Sequence, residues 1–253
     1  MKDENFKINI KTDKLNVYTK RSEMIKLLNK LVHKLRFRSQ TFYLSILYLD
    51  LIMNLNTEIK VELITISVLL LAAKFDENDT TVPNLIYFKN LMENYFITLD
   101  DIQKYELICL NMLEYKLNYN TAYHYINFFL SQGIIFNDES LSSIDNEYVV
   151  KNYKLSTSNS SLNSNEDVKI NYKIVVKLSE IVKEALLIFI ESMKKYLKID
   201  NEFNNFTFLE IACGCIAVAR EHIKLKEIWH SRFIEIYNIK IEDFKDCYEM
   251  LKK

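Results

Sequence analysis

At 253 residues the chain is at or a little above what one hydrophobic core can hold, so one large domain or two small ones is expected. The composition is 49% apolar with only two Gly and one Pro, which leaves almost none of the turn punctuation that a sandwich, barrel or doubly wound fold needs. It therefore predicts an all-α protein without Gly-rich phosphate loops or nucleophile elbows, and a net charge of -1 offers no general attraction to nucleic acid or an anionic membrane.

In chain order, Met24, Ile25, Leu28, Leu31, Val32 and Leu35 recur at three- and four-residue spacing and predict a first helix over about Arg21 to Leu35. A second opens after Ser39, read as its N-cap, and stops near Asn54. A third covers about Glu58 to Asp76, and a short fourth follows Pro83. A fifth starts at Thr98, whose spacing to Asp101 is close to a capping box, and ends near Leu117. Ala122 to Leu130 begins the second half. The run from about Ser131 to Tyr172 breaks the pattern, and its middle, STSNSSLNSN, is polar low-complexity sequence read as a flexible surface insert. Helical periodicity resumes in NYKIVVKLSEIVKEALLIFIESMKKYLK, then from Phe206 to about Ile223, near Trp229, and from Ile241 to Leu251. Each half thus holds five predicted helices.

Two segments, LITISVLLLAAK (Leu63 to Lys74) and LEIACGCIAVAR (Leu209 to Arg220), are apolar nearly all round. A helix without a polar face must be surrounded by other helices, and small residues such as Ala72, Ala73, Ala212 and Gly214 let neighbours approach closely. Both segments start with Leu and finish on a basic residue, which suggests a weak internal repeat of two five-helix units.

The cysteines, Cys109, Cys213, Cys215 and Cys247, form no C-x-x-C pair and read as small buried thiols, with no metal site beside them. The amino terminus lacks an apolar h-region, and the stretch around Leu63 to Ala73 is too short to span a bilayer. No membrane association is expected, and a reducing compartment, nucleus or cytoplasm, is. His33, His124, His222 and His230 neighbour no nucleophile or carboxylate constellation, so no catalytic residue, cofactor or metal is expected.

At this point the chain resembles a cyclin. LLLAAKFDE (Leu69 to Glu77) is similar to the third-helix block of the cyclin box, and LYLDLIM (Leu47 to Met53) to the second-helix segment carrying a buried aspartate. Arg21 falls where cyclins place the arginine that pairs with it, and Glu106 in KYELICLNMLEYKL matches the glutamate of the fifth helix. NTAYHYINFFL resembles the opening of a second cyclin fold, and the runs around FDENDTTVPNL look most like cyclin J. The implied organisation is an N-terminal extension over 1–19, an N-terminal cyclin box over 20–119 and a C-terminal cyclin fold over 120–253, with the insert at about 135–171.

Read from the residues alone, Asp50 among Tyr48, Leu49, Leu51 and Ile52 needs a cation, and Arg21 can fork onto it as a structural ion pair. Lys74 and Glu106 read as an interhelical salt bridge. The resemblance implies more: in cyclins this Lys and Glu contact the kinase's mobile regulatory helix, with Leu71, Phe75, Leu110, Tyr115 and Leu117 as apolar contacts around them. The substrate-docking groove of many cyclins is altered here, where the matching residues are Lys20, Arg21, Ser22, Glu23 and Met24, with Leu27 in place of a tryptophan and Lys30 in place of an acid. The resulting expectation is a non-enzymatic regulatory subunit whose partner is a cyclin-dependent kinase. The alternative is a cyclin-fold scaffold of the general-transcription-factor or pocket-protein type binding DNA or peptides, against which stands the scatter of lysines among acids.

Overall fold

Local capping and periodic apolar spacing set the helix boundaries in the computed structural model, which describes residues 15–55, 60–92, 95–132, 136, 206–225 and 227–252. The helices are α1 (Leu15–Leu35), α2 (Ser39–Leu55), α3 (Val61–Asp76), α4 (Leu85–Leu91), α5 (Leu99–Met112), α6 (Ala122–Gln132), α7 (Phe208–His222), α8 (Ser231–Tyr237) and α9 (Ile241–Leu251). No strand occurs among the described residues, and no helix among them is long and apolar enough to cross a membrane. Two compact units divide after His124, with described residues 206–208 grouped with the first.

The first unit is built around α3, in which every residue from Leu63 to Ala73 is buried. With α1, α2 and α5 packed on it, the stretch from Leu63 to Ala73 has no solvent face, the arrangement its mostly apolar sequence requires. Each fully buried Leu, Ile or Val contributes roughly 1.5–3 kcal/mol, so α3 supplies much of the hydrophobic drive for the unit. Tyr48 of α2 is buried with it, and its hydroxyl donates to the Leu117 carbonyl at 2.7 Å, which ties down the chain leaving α5.

Several boundaries differ from the sequence expectation, each for a local reason. α1 begins at Leu15, ahead of Arg21, within the segment read as an extension. Ser39 is the first residue of α2 and does not cap it; the amide of Arg38 finds its acceptor on Glu77 instead, at 2.6 Å. α5 ends at Met112, short of Leu117, because Glu114 and Tyr115 take left-handed conformations that no helix continues through. At its start the capping box is present: the Thr98 hydroxyl accepts from the Asp101 amide at 3.1 Å, and Asp101 accepts from the Thr98 amide at 3.1 Å. The Thr98 hydroxyl, donating to Asp101 Oδ2 at 2.6 Å, and then the Thr98 amide hold the Asp101 carboxyl below the ordinary carboxylate range.

The second unit centres on α7 and an aromatic cluster. Gly214 lets α9 come close: a Cβ there would sit 2.8 Å from Leu251 Cδ1 and 3.3 Å from Cys247 Sγ. Trp229 stacks on Phe233 at 4.4 Å between centroids and donates its indole N–H to the Ile239 carbonyl at 2.9 Å. Phe136, which sequence polarity assigned to the start of the flexible insert, is buried against His230 and Phe233 at 4.5 and 5.0 Å. Arg220 is fully buried: its Nε and Nη2 donate to the carbonyls of Ile228 and Glu227 at 2.9 and 2.8 Å, and its guanidinium lies 5.4 Å from the Phe233 ring. The four cysteines are buried thiols outside any disulfide, and burial pushes Cys109 and Cys247 up to about 12. The rest of the insert and the predicted helix of 171–198 lie outside the described residues.

Candidate functional site: the end of the central helix and its neighbour

The buried run of α3 stops at Ala73, and the four residues that follow divide between two directions. Lys74 and Phe75 face outward, 51% exposed at the lysine side chain and 47% at the phenylalanine. Asp76 and Glu77 turn inward, with side chains 8% and 5% exposed. Carboxylates are unfavourable at the negative end of their own helix, and these two reach the positive end of another. Besides the Arg38 amide, Glu77 accepts from Arg38 Nε at 3.1 Å, and Asp76 accepts from Gln40 Nε2 at 2.7 Å. The Thr41 hydroxyl lies 2.8 Å from Asp76 and 2.6 Å from Glu77, donating to one at a time. The acidic pair therefore clamps the start of α2 to the end of α3. Sequence reading assigned these two residues no role, although an acidic pair at a helix C-terminus was itself a signal that another helix start must be near.

On the outward side, Lys74 Nζ donates to Glu106 Oε1 at 2.5 Å. Glu106 is only 16% exposed at its side chain, because it stands on the edge of α5 beside the buried row of Ile102, Cys109 and Leu113. The pair is thus half in water, where it contributes little to folding stability. Tyr115 projects nearby in sequence, 63% exposed, while Leu110 and Leu117 are half-buried. Leu71 is different. At 4% exposed it belongs to the α3 core, because it lies one turn before Phe75 on a stretch enclosed by neighbouring helices, so it has no surface to offer a partner.

Leu107, 55% exposed, adjoins Glu106 on the solvent side of α5 and was not singled out by sequence. A helical wheel flags it, since it lies well over a third of a turn from the buried row, on a face otherwise occupied by Gln103, Lys104 and Asn111. Phe96, fully exposed at φ 49° just before α5, had no sequence signal of comparable kind.

At the other end of the unit, Arg21 of α1 donates from Nε to Asp50 Oδ1 at 2.6 Å and from Nη2 to Oδ2 at 2.8 Å, with both residues buried. This two-point fork joins α1 to α2 in the interior. Around it, Met24 is 2% exposed and Leu27 half-buried, while Lys20, Glu23 and Lys30 are exposed. The segment matching the docking groove thus shows charge outward and withdraws its methionine into the core.

Residues 2–118 match the family described as Cyclin, N-terminal domain. The chain thus carries a cyclin N-terminal domain over these residues. It is 32% identical over 133 residues to Cyclin-D5-1 of Arabidopsis thaliana, a match covering 50% of this chain and 38% of that protein. It is 31% identical over 99 residues to Cyclin-J of Homo sapiens, covering 36% of this chain and 26% of the human protein. The matches thus span well under half the length of these relatives. In fold, the chain is similar to a viral cyclin from herpesvirus saimiri, with a TM-score of 0.55 over 93% of this chain and 86% of that one at 11% identity.

Proposed function

We propose that this chain is a cyclin, the regulatory subunit of a cyclin-dependent protein kinase, built from two five-helix cyclin folds in tandem and performing no chemistry of its own. The observation that carries the reading is the half-exposed Lys74–Glu106 pair, with Phe75 exposed next to Lys74 in the chain and Tyr115 exposed just after α5. A surface ion pair adds little to folding, yet together with exposed aromatic side chains on the same two helical segments it would offer a partner helix two charged hydrogen-bonding groups and apolar surface. Kinase binding at this face would hold the kinase's regulatory helix in the inward position, where its glutamate pairs with the ATP-orienting lysine. Activation is then a population shift, its size set by how much better the cyclin binds the inward arrangement than the outward one. The proposed setting is the nucleus or cytoplasm.

The test uses the purified chain against a panel of purified cyclin-dependent kinase subunits, reading affinity by calorimetry and phosphotransfer to a histone substrate. At least one kinase is expected to bind and gain activity. Combining Lys74→Glu with Glu106→Lys keeps the two side chains able to pair with each other while reversing each charge toward the kinase, so folding should persist and binding collapse. A panel in which no kinase binds would overturn the reading in favour of a scaffold for peptides or nucleic acid.

A further inference from the structure

Three helices of this chain end in the same way, and one of the three ends differently at its last step. After α1, Arg36 is left-handed at φ 56° and the amide of the next residue, Phe37, reaches back to the Val32 carbonyl at 3.1 Å. After α7, Lys224 is left-handed at φ 59° and the Leu225 amide reaches the Arg220 carbonyl at 3.2 Å. After α5, Glu114 is left-handed at φ 52° and the Tyr115 amide reaches the Leu110 carbonyl at 3.0 Å. Each is a helix end of the Schellman type, in which an apolar residue after the left-handed one normally folds back onto the last turn. Phe37 and Leu225 are buried, at 7% and 6% exposed. Tyr115 is not: it is itself left-handed, at φ 59°, and 63% exposed.

A second consecutive left-handed residue is costly for a side chain as bulky as tyrosine, and the cost is not recovered by burial. The Glu114–Lys116 ion pair across the turn, at 2.8 Å, is exposed at both ends and does little to offset it. Backbone strain retained without a folding benefit marks a functional position.

We infer that the turn from Leu113 to Lys116 is a presentation device, in which the left-handed conformation of Tyr115 swings the ring out of the core-directed position taken by Phe37 and Leu225 and fixes it as an aromatic anchor for the kinase. The inference rests on the kinase-binding reading above. It adds that Tyr115 is held at the expense of the fold, so that stability and binding respond to it in opposite ways.

The experiment compares Tyr115→Gly, Tyr115→Ala and Tyr115→Phe, using the kinase that binds the unaltered chain most tightly in the panel. Glycine and alanine both delete the ring and differ in their tolerance of positive φ. The glycine variant should melt about 2–4 °C above the alanine variant, the reverse of the order at an ordinary position. Both should lose about tenfold or more in kinase affinity, as expected for an aromatic anchor, and Tyr115→Phe should stay within about twofold. An alanine variant at least as stable as the glycine variant would overturn the strain. Unchanged affinity in both ring deletions, while Lys74→Glu with Glu106→Lys loses binding, would overturn the anchor. If the charge-reversed pair also binds normally, the kinase-facing assignment of the whole surface fails instead.

Discussion

Gln40 Nε2 lies 2.9 Å from His124 Nε2, held there by the hydrogen bond it donates to Asp76. On the other side of the ring, Nδ1 lies 3.2 Å from the Thr121 amide nitrogen and 2.8 Å from its hydroxyl. The imidazole is therefore surrounded by groups that have hydrogens to give. A neutral ring has one nitrogen with which to accept, whereas a protonated ring has none.

This environment predicts a pH dependence. Burial holds the His124 pKa below its ordinary value, with the Asp76 charge opposing in part. A depressed histidine pKa means that the unfolded chain takes up its proton first as pH falls, so stability is undiminished above about pH 6.5 and declines below it. The decline ends once the folded ring is also protonated. Denaturant midpoints measured between pH 7.5 and 5 should fall more steeply for the unaltered chain than for His124→Asn; parallel curves would show that the ring does not titrate against this network.

Replacing Asp50 with Ala leaves the buried Arg21 guanidinium without its carboxylate and should cost about 3–5 kcal/mol. The cost belongs to the broken pair more than to its absence, so Arg21→Met combined with Asp50→Leu should cost less than Asp50→Ala alone. Chemical denaturation of the three variants checks both statements. An Asp50→Ala chain of unchanged midpoint would contradict the buried geometry.

Glu77→Ala removes the acceptor of the Arg38 amide at the start of α2 and should cost about 1–2 kcal/mol, in the range of a lost helix cap. Glu77→Gln should recover part of this, because its amide oxygen can still accept. Asp79→Ala, at an exposed position two residues on, is the control and should be neutral within about 0.5 kcal/mol. Equal effects at positions 77 and 79 would mean that the carboxylate does not cap α2.

Arg220→Lys keeps the charge and loses the planar fork that reaches two carbonyls, so a loss of about 1.5–3 kcal/mol is expected. Thermal unfolding of the variant reads it directly. A midpoint equal to that of the unaltered chain would show that a point charge satisfies the Glu227 and Ile228 carbonyls equally well.

The comparison of Lys74 with Arg220 separates what the sequence by itself determined from what the tertiary structure decided. That each ends an apolar helix was legible from composition and spacing, because a run of a dozen residues that is apolar nearly all round has to be enclosed by its neighbours. The capping box of Thr98 and Asp101 was legible for a similar reason: its partners lie three residues apart, so local geometry suffices. The fates of the two basic residues were not legible, because they depend on what arrives from elsewhere in the chain. Lys74 meets Glu106 at a half-exposed edge, whereas Arg220 is buried against two carbonyls and the rings of Phe136 and Phe233. The same holds along LAAKFDE. The order of residues gives its helical phase, but only the packing of α2 and α5 around α3 buries Leu71, turns Asp76 and Glu77 toward Thr41, and leaves Lys74 and Phe75 in solvent. Periodicity states which residues share a face; which face is covered is a long-range outcome, determined by the partners that the rest of the chain brings to it.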